Sequence, residues 1–301
     1  MTRTEPVVDL PTLDAPESGD GPGRRTDRNR RGAILAAGLG LMAVVVLGVL
    51  LSLVWTPHDP YPVDAGHRLL PPGADGFLLG TDSYGRDILS LLLYGGRISL
   101  LVGVGAVAIA VAIGVPVGIV AGMAGGWIDQ VLMRGTDVAL AFPALLLTII
   151  FGATFGAGTG TATVALGIAS APSFARVARS GTLQVVAREF VTAARAANRG
   201  PLWIAYRHVV PNIGGLVVVQ ASVTFGVAVL AEAALSYLGF GTAPPTPSWG
   251  RMLQEGQSYL YDHPLLVVWP GMAIALTVLA LNLIGDGLRD RFDPRTEGGR
   301  R

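Results

Sequence analysis

A chain of 301 residues with 51% hydrophobic and only 14% charged side chains, mean hydropathy +0.53 and net charge +1 demands a solvent other than water, since soluble domains carry about 25% charge. Cysteine is absent, which excludes disulfides, thiolate metal sites and a cysteine nucleophile. Lysine is absent too: all 22 basic residues are arginine, which excludes a Schiff-base lysine and the phosphate-binding lysine of a Walker A loop.

Residues 1–32 are polar, rich in Pro, Gly, Asp and Arg, and lack apolar periodicity. They bury too little surface to offset the entropy of ordering, so this segment reads as a disordered tail. Ala33–Val54 follows as 22 uncharged residues, longer than a signal-peptide apolar region and without a cleavage pattern, and reads as a retained first span. Ile98–Trp127 is a second span and contains Pro116, which is expected to kink it. Within it Ala106, Ala110, Gly114, Gly118, Gly122 and Gly126 recur every fourth residue, a stripe on which another helix can lie close.

Val138–Ala175 is 38 uncharged residues, whereas one span needs about 20. The glycine-rich run 152–160 supplies a hinge that divides it into two spans. Ile213–Ala231 and Pro264–Gly285 complete a set of six, which puts both chain ends on one side. With those ends inside, 18 of the 22 arginines lie on the inner side and Arg68, Arg86, Arg97 and Arg251 on the outer. This positive-inside bias orients both termini to the cytoplasm. The fold class expected is an all-α membrane protein of six transmembrane helices. The outer segments 55–97 and 241–263 are rich in Pro and aromatics and read as ordered loops.

No catalytic or metal-binding residue is identified: His58, His67, His208 and His263 all fall in loops, none at metal-ligand spacing. Polar residues inside spans are the better lead, because lipid makes them costly. Thr148, Gln220, Ser222, Thr224, Glu232, Asn282 and Asp286 are of this kind, with Glu232 and Asp286 near span ends. Gln220 and Thr224 share a helix face, and with Ser222 they are the candidate pathway-lining residues. Interhelical hydrogen bonding is the alternative reading.

The longest inner loop, 188–211, carries the most specific signal. Helix formers run from Arg188 to Arg199, Gly200-Pro201 breaks the helix, and a second helix is expected to stop at Pro211. A helix–turn–helix with small Ala residues and a ring of Arg suits docking into a carboxylate-bearing groove, and a surface loop that carries positive-inside charge is the alternative reading.

This loop resembles that of the inner-membrane permeases of binding-protein-dependent ABC importers. The family pattern is Glu-Ala-Ala, three residues, Gly, then an apolar stretch ending in Pro. Thr192-Ala193-Ala194, Asn198 and Pro211 stand at the matching positions, with Thr192 in place of Glu and Asn198 in place of Gly. Asn tolerates left-handed backbone as Gly does. Further stretches are similar to the second permease subunit of dipeptide, oligopeptide and nickel importers: Leu79–Ser90 with Tyr94–Leu100, Glu232–Gly241 with Pro245–Gly250, and Asn282–Asp290 with Asp293–Arg295.

The resemblance implies the type I ABC importer permease fold over residues 33–296, with a cytoplasmic coupling region 185–212 and a short tail, 297–301. It implies ATPase coupling through Glu189, Thr192, Ala193, Ala194, Arg195, Asn198 and Pro211. It implies a multi-pass protein of the bacterial cytoplasmic (inner) membrane that is a transport subunit rather than an enzyme. Its partners would be a second homologous permease, two ATP-binding-cassette ATPase subunits, an extracytoplasmic substrate-binding protein and membrane lipid, without nucleic acid. No cofactor would sit on this chain, since ATP and Mg would bind the ATPase subunits. Di- and oligopeptides are the implied cargo. Nickel or another small solute is the alternative, and a self-contained secondary transporter is the rival from another class.

Overall fold

In lipid every backbone polar group needs an internal partner, so an uncharged stretch must close its hydrogen bonds within itself or in a barrel. Here the solution is helical. The computed structural model describes residues 22–292, and among these there are ten α-helices and no strand. They are α1 (Pro22–Ser52), α2 (Ile88–Ala124), α3 (Gly126–Ala141), α4 (Ala144–Phe155), α5 (Thr159–Val186), α6 (Glu189–Ala196), α7 (Pro201–Ile204), α8 (Val210–Tyr237), α9 (Trp249–Gln257) and α10 (Leu265–Phe292). Four helical stretches are long and apolar enough to cross a membrane: Gly32–Ser52, Ile88–Ala124, Pro201–Tyr237 and Leu265–Arg291. The pair α3 and α4, bent by 80°, makes a fifth if it counts as one broken span.

The small-residue stripe explains the tightest contact, α2 against α5. Ala106 and Ala110 are fully buried, and Cβ atoms added at Gly114, Gly118 and Gly122 would strike Phe174, Ala178 and Thr182. The missing side chains let the two backbones approach, which is what small residues do in membrane helices. Gly126 leaves the stripe, because it opens α3 with φ 54°. On the other side of the bundle α1 lies on α10, with Gly38 facing Leu283 and Gly287 facing Leu35.

Three buried clusters follow the length of α2. One, at its start, joins Ile88 and Leu91 to Val229, Ala233, Trp249, Met252 and Leu266. A middle one joins Val102 and Ala106 to Ala162, Leu166, Ala228 and Leu235. The third, at its end, joins Ile119 to Ala178, Val185, Val191, Ala194, Ile204, Val209 and Ile213. The bundle therefore has two distinct ends, one capped by loops 53–87 and 238–264 and the other by α6 and α7.

Several boundaries differ from the hydropathy reading. Pro22–Gly32, expected to be disordered, already belongs to α1, while residues 1–21 and 293–301 lie outside the described residues. A helix can run past the apolar limit of a span, so uncharged length underestimates it. α2 starts at Ile88 rather than Ile98, and it carries Arg97 because that guanidinium turns back to Ser52 Oγ (2.7 Å) and stacks on Tyr94 at 4.2 Å. α2 also runs unbroken through Pro116. The stretch 138–175 divides within the foreseen hinge, at residues 156–158, where Gly156 has φ 92°. It has a second, unforeseen break at Phe142-Pro143, where the proline denies Phe142 helical backbone. α5 continues past Ala175 because Arg176 and Arg179 reach Asp137 and Asp129 on α3 (2.6 and 2.5 Å).

Candidate functional site

The segment expected to couple, 185–212, begins where α5 ends. Arg188 takes extended backbone (ψ 147°) and α6 starts at Glu189, whose carboxylate in the first turn complements the helix dipole, as Arg195 does in the last. Eight residues make barely two turns, so tertiary packing must hold α6 in place. Val191 and Ala194, three apart, supply it by pointing into the cluster of Ile119, Ala178, Val185, Ile204, Val209 and Ile213. Thr192, Ala193 and Arg195 point outward, as does Glu189.

Asn198 ends the helix in left-handed backbone, φ 57°. Its N–H donates to the Arg195 carbonyl (2.9 Å) and the Arg199 N–H donates to the Ala194 carbonyl (3.1 Å). These two bonds make a Schellman cap with Asn at the position glycine usually takes. The turn that the Gly-to-Asn difference put at stake is formed.

Gly200 is extended and Pro201 opens α7. The second helix does not stop at Pro211. A π-helical turn, Ala205–Val209, leads directly into α8, and Pro211 occupies its first turn. There a missing N–H is tolerated, so the proline enters the helix rather than ending it. Movement at α7 is thus joined to α8 through continuous backbone.

Periodicity gave no hint of how the two short helices clasp each other. The His208 ring lies 5.3 Å from Phe190 and 5.1 Å from Trp203, and Arg199 stacks 5.1 Å from Trp203. Beside this clasp Leu202 is 86% and Tyr206 80% exposed, on one face of the turn. Two large side chains this exposed form a surface patch suited to a partner, and Thr192, Ala193 and Arg195 of α6 are exposed too.

The candidate pathway residues do not share one environment. Gln220 Nε2 donates to Thr224 Oγ1 (3.1 Å), and Thr224 is buried. Ser222 donates to the Val218 carbonyl and lies beside Gly285 of α10. Thr148 likewise donates to a carbonyl of its own helix, Ala144.

The opposite end is built on the stretch Gly80–Asp87. Asp82 Oδ1 accepts from the N–H groups of Tyr84 (2.8 Å) and Arg86 (2.9 Å). Arg86 donates from Nε to Asp82 (2.7 Å) and bridges to Glu255 of α9 (2.6 Å), which also holds Arg251 (2.8 Å). Burial works against the Arg86 charge, but Asp82 and then Glu255 outweigh it and hold the guanidinium above its ordinary range. Asp87 caps α2 through the Ser90 N–H (2.9 Å) and hydroxyl (2.6 Å). Gly85 (φ 80°) is required, because a Cβ there would fall on the Asp64 carbonyl. Glu232, read from sequence as lying near a span end, is 1% exposed and accepts from Ser99, Ser236 and Thr242.

Residues 114–298 match the family described as binding-protein-dependent transport system inner membrane component. The chain is 39% identical over 272 residues to the di/tripeptide transport system permease protein of Pseudomonas aeruginosa, covering 89% of both chains. It is 41% identical over 274 residues to the dipeptide transport system permease protein of Escherichia coli K12, covering 89% of this chain and 90% of that one. It is 38% identical over 266 residues to the glutathione transport system permease protein of Pectobacterium atrosepticum, covering 88% of each. Among solved structures, a chain of the methionine ABC transporter in inward-facing conformations superposes with TM-score 0.57 at 18% identity, covering 67% of this chain and 96% of that one.

Proposed function

Because the chain belongs to the family of binding-protein-dependent transport system inner membrane components, we propose that it is the permease subunit of a peptide importer, forming half of the pathway across the bacterial inner membrane. Its relatives named for dipeptide, tripeptide and glutathione transport support peptides as the cargo class. ATP and Mg bind separate ATPase subunits, and a second permease and an external binding protein complete the assembly. The absence of lysine fits that division of labour, because a Walker A site has to come from another chain.

The topology that fits this role has six spans: α1, α2, the bent pair α3–α4, α5, α8 and α10. The uncharged part of α5, residues 159–175, is close to the shortest stretch that crosses a bilayer. Both termini then face the cytoplasm, together with 18 of 22 arginines. In this arrangement α6 and α7 are the ATPase-facing elements. Thr192, Ala193 and Arg195 meet the partner, with Leu202 and Tyr206 added to the sequence-derived set. Ala194 acts from inside, as the packing contact that seats α6, Asn198 shapes the turn, and Pro211 passes motion into α8.

The observation that carries this reading is the exposed Leu202–Tyr206 face beside α6, backed by a buried cluster and continuous with a membrane helix. Ala193→Glu and Leu202→Glu change only exposed positions. Each is expected to abolish ATPase co-purification and ATP-dependent uptake while the protein stays at wild-type level in the membrane. Unchanged uptake in both would remove the docking role from this face.

A further inference from the structure

Glu232 is a buried carboxylate that neither coupling nor packing accounts for. It sits on α8, one turn before the helix ends, and is 1% exposed. No arginine among the described residues forms an ion pair with it; Arg86, Arg251, Arg176 and Arg179 pair instead with Asp82, Glu255, Asp137 and Asp129. Its oxygens are satisfied by hydroxyls alone. Ser99 of α2 donates to Oε2 (2.9 Å), while Ser236 (2.7 Å) and Thr242 (3.4 Å) donate to Oε1. The Ser236 oxygen in turn accepts the Thr242 N–H (3.0 Å), and Thr242 Oγ1 lies 3.1 Å from Thr159 Oγ1 at the start of α5. One carboxylate therefore gathers α2, α8, the 238–248 loop and the N-terminus of α5.

A leucine would pack such a position at less cost, since a buried acid must be hydrogen-bonded to be tolerated at all. What a carboxylate adds is directionality: three donors from three elements meet in one arrangement only. The loop that it holds runs into α9, whose Trp249 covers Val229 and donates to the Leu92 carbonyl (2.9 Å). Freeing the loop from Glu232 would uncover that cluster. On the importer reading this is the outer end of the pathway.

We propose that Glu232 is a positioning residue for transport, a clasp that keeps the outer ends of α2, α5 and α8 together and is released when the pathway opens outward. The proposal rests on the importer reading, but its first test does not. The chain has no cysteine, so single thiol reporters can be introduced. Val229→Cys puts one beneath the loop and Val191→Cys puts one at the coupling end; both positions are 0% exposed. Each is placed in the full-length chain, in native membrane with its partner subunits. Labelling by a membrane-impermeant maleimide is followed in right-side-out vesicles for the V229C reporter and in inverted vesicles for the V191C reporter.

Ser99→Ala and Glu232→Gln are each expected to speed labelling at position 229 about tenfold, the effect of about 1.4 kcal/mol on an opening equilibrium, and to leave labelling at position 191 unchanged. In the same vesicles ATP hydrolysis without binding protein rises and peptide taken up per ATP falls. Ser99→Ala removes one hydroxyl from a helix that stays packed, so it decides the matter if Glu232→Gln fails to fold. Unchanged labelling at position 229, or an equal rise at position 191 that marks general loosening, overturns the clasp. Absence of ATP-dependent uptake in the unsubstituted chain instead sinks the importer reading and leaves the labelling result standing.

Discussion

At the residue scale, single positions in α6 have opposite duties that the motif pattern did not separate. Thr192 and Ala193 face outward, whereas Ala194, their neighbour in the same pattern, packs inward at 9% exposure. A charge at 194 would therefore break the seat of α6, and one at 193 would test the partner face. Asn198 was legible from sequence, because a residue standing for glycine that tolerates left-handed backbone predicts the observed φ of 57°. Asn198→Gly is expected to keep or raise stability, and Asn198→Val to lose about 1–2 kcal/mol of local stability. Hydrogen exchange of the Arg199 amide, which closes the cap, reports the difference: equal protection in both variants would contradict it. The aromatic clasp of Phe190, His208 and Trp203 was not legible, because its members belong to α6, α7 and the π-helical turn and meet only after the chain has reversed between them.

At the element scale, the four-residue stripe foretold close packing, and the structure supplied the partner, α5. Gly118→Leu would drive a side chain into Ala178 and the α5 backbone, whereas a Cβ added at Gly40 meets nothing within 4 Å. Gly118→Leu is expected to lose at least about 1–3 kcal/mol, the usual cost of overpacking, and to accumulate poorly, with Gly40→Leu close to wild type. Thermal unfolding in detergent compares them, and equal midpoints would dismiss the stripe. The loops before α2 and around α9 were foreseen as ordered, but not the salt-bridge network that joins them, since Arg86 and Glu255 are 169 residues apart. Arg86→Ala leaves Asp82 buried without its cation and Glu255 with Arg251 alone, and is expected to cost about 3–5 kcal/mol. Arg86→Met combined with Asp82→Asn and Glu255→Gln should recover part of that loss, which the same unfolding measurement would reveal. The bend between α3 and α4 escaped hydropathy because apolar composition continues across it; only Pro143 marked the place.

At the scale of the whole molecule, the uncharged stretches marked where apolar helices would run but not where they end. α1, α2, α8 and α10 each extend beyond their apolar limits, and Arg97 inside α2 is held by the Ser52 hydroxyl and the Tyr94 ring. The arrangement concentrates polar chemistry at two ends of an apolar bundle. One end is a loop-built cap in which Arg86 and Glu232 are buried, and the other is the proposed docking patch, continuous with α8. The central claim is that this chain moves peptide only when an ATPase drives it through that patch. The direct measurement is uptake of a labelled dipeptide into proteoliposomes. These hold the chain either alone or assembled with the second permease and the ATPase subunits, with binding protein and ATP supplied on their proper sides. The account predicts uptake only in the full assembly, dependent on ATP and lost on Leu202→Glu. Peptide uptake by the chain alone, driven by an ion gradient and indifferent to ATP, would contradict it.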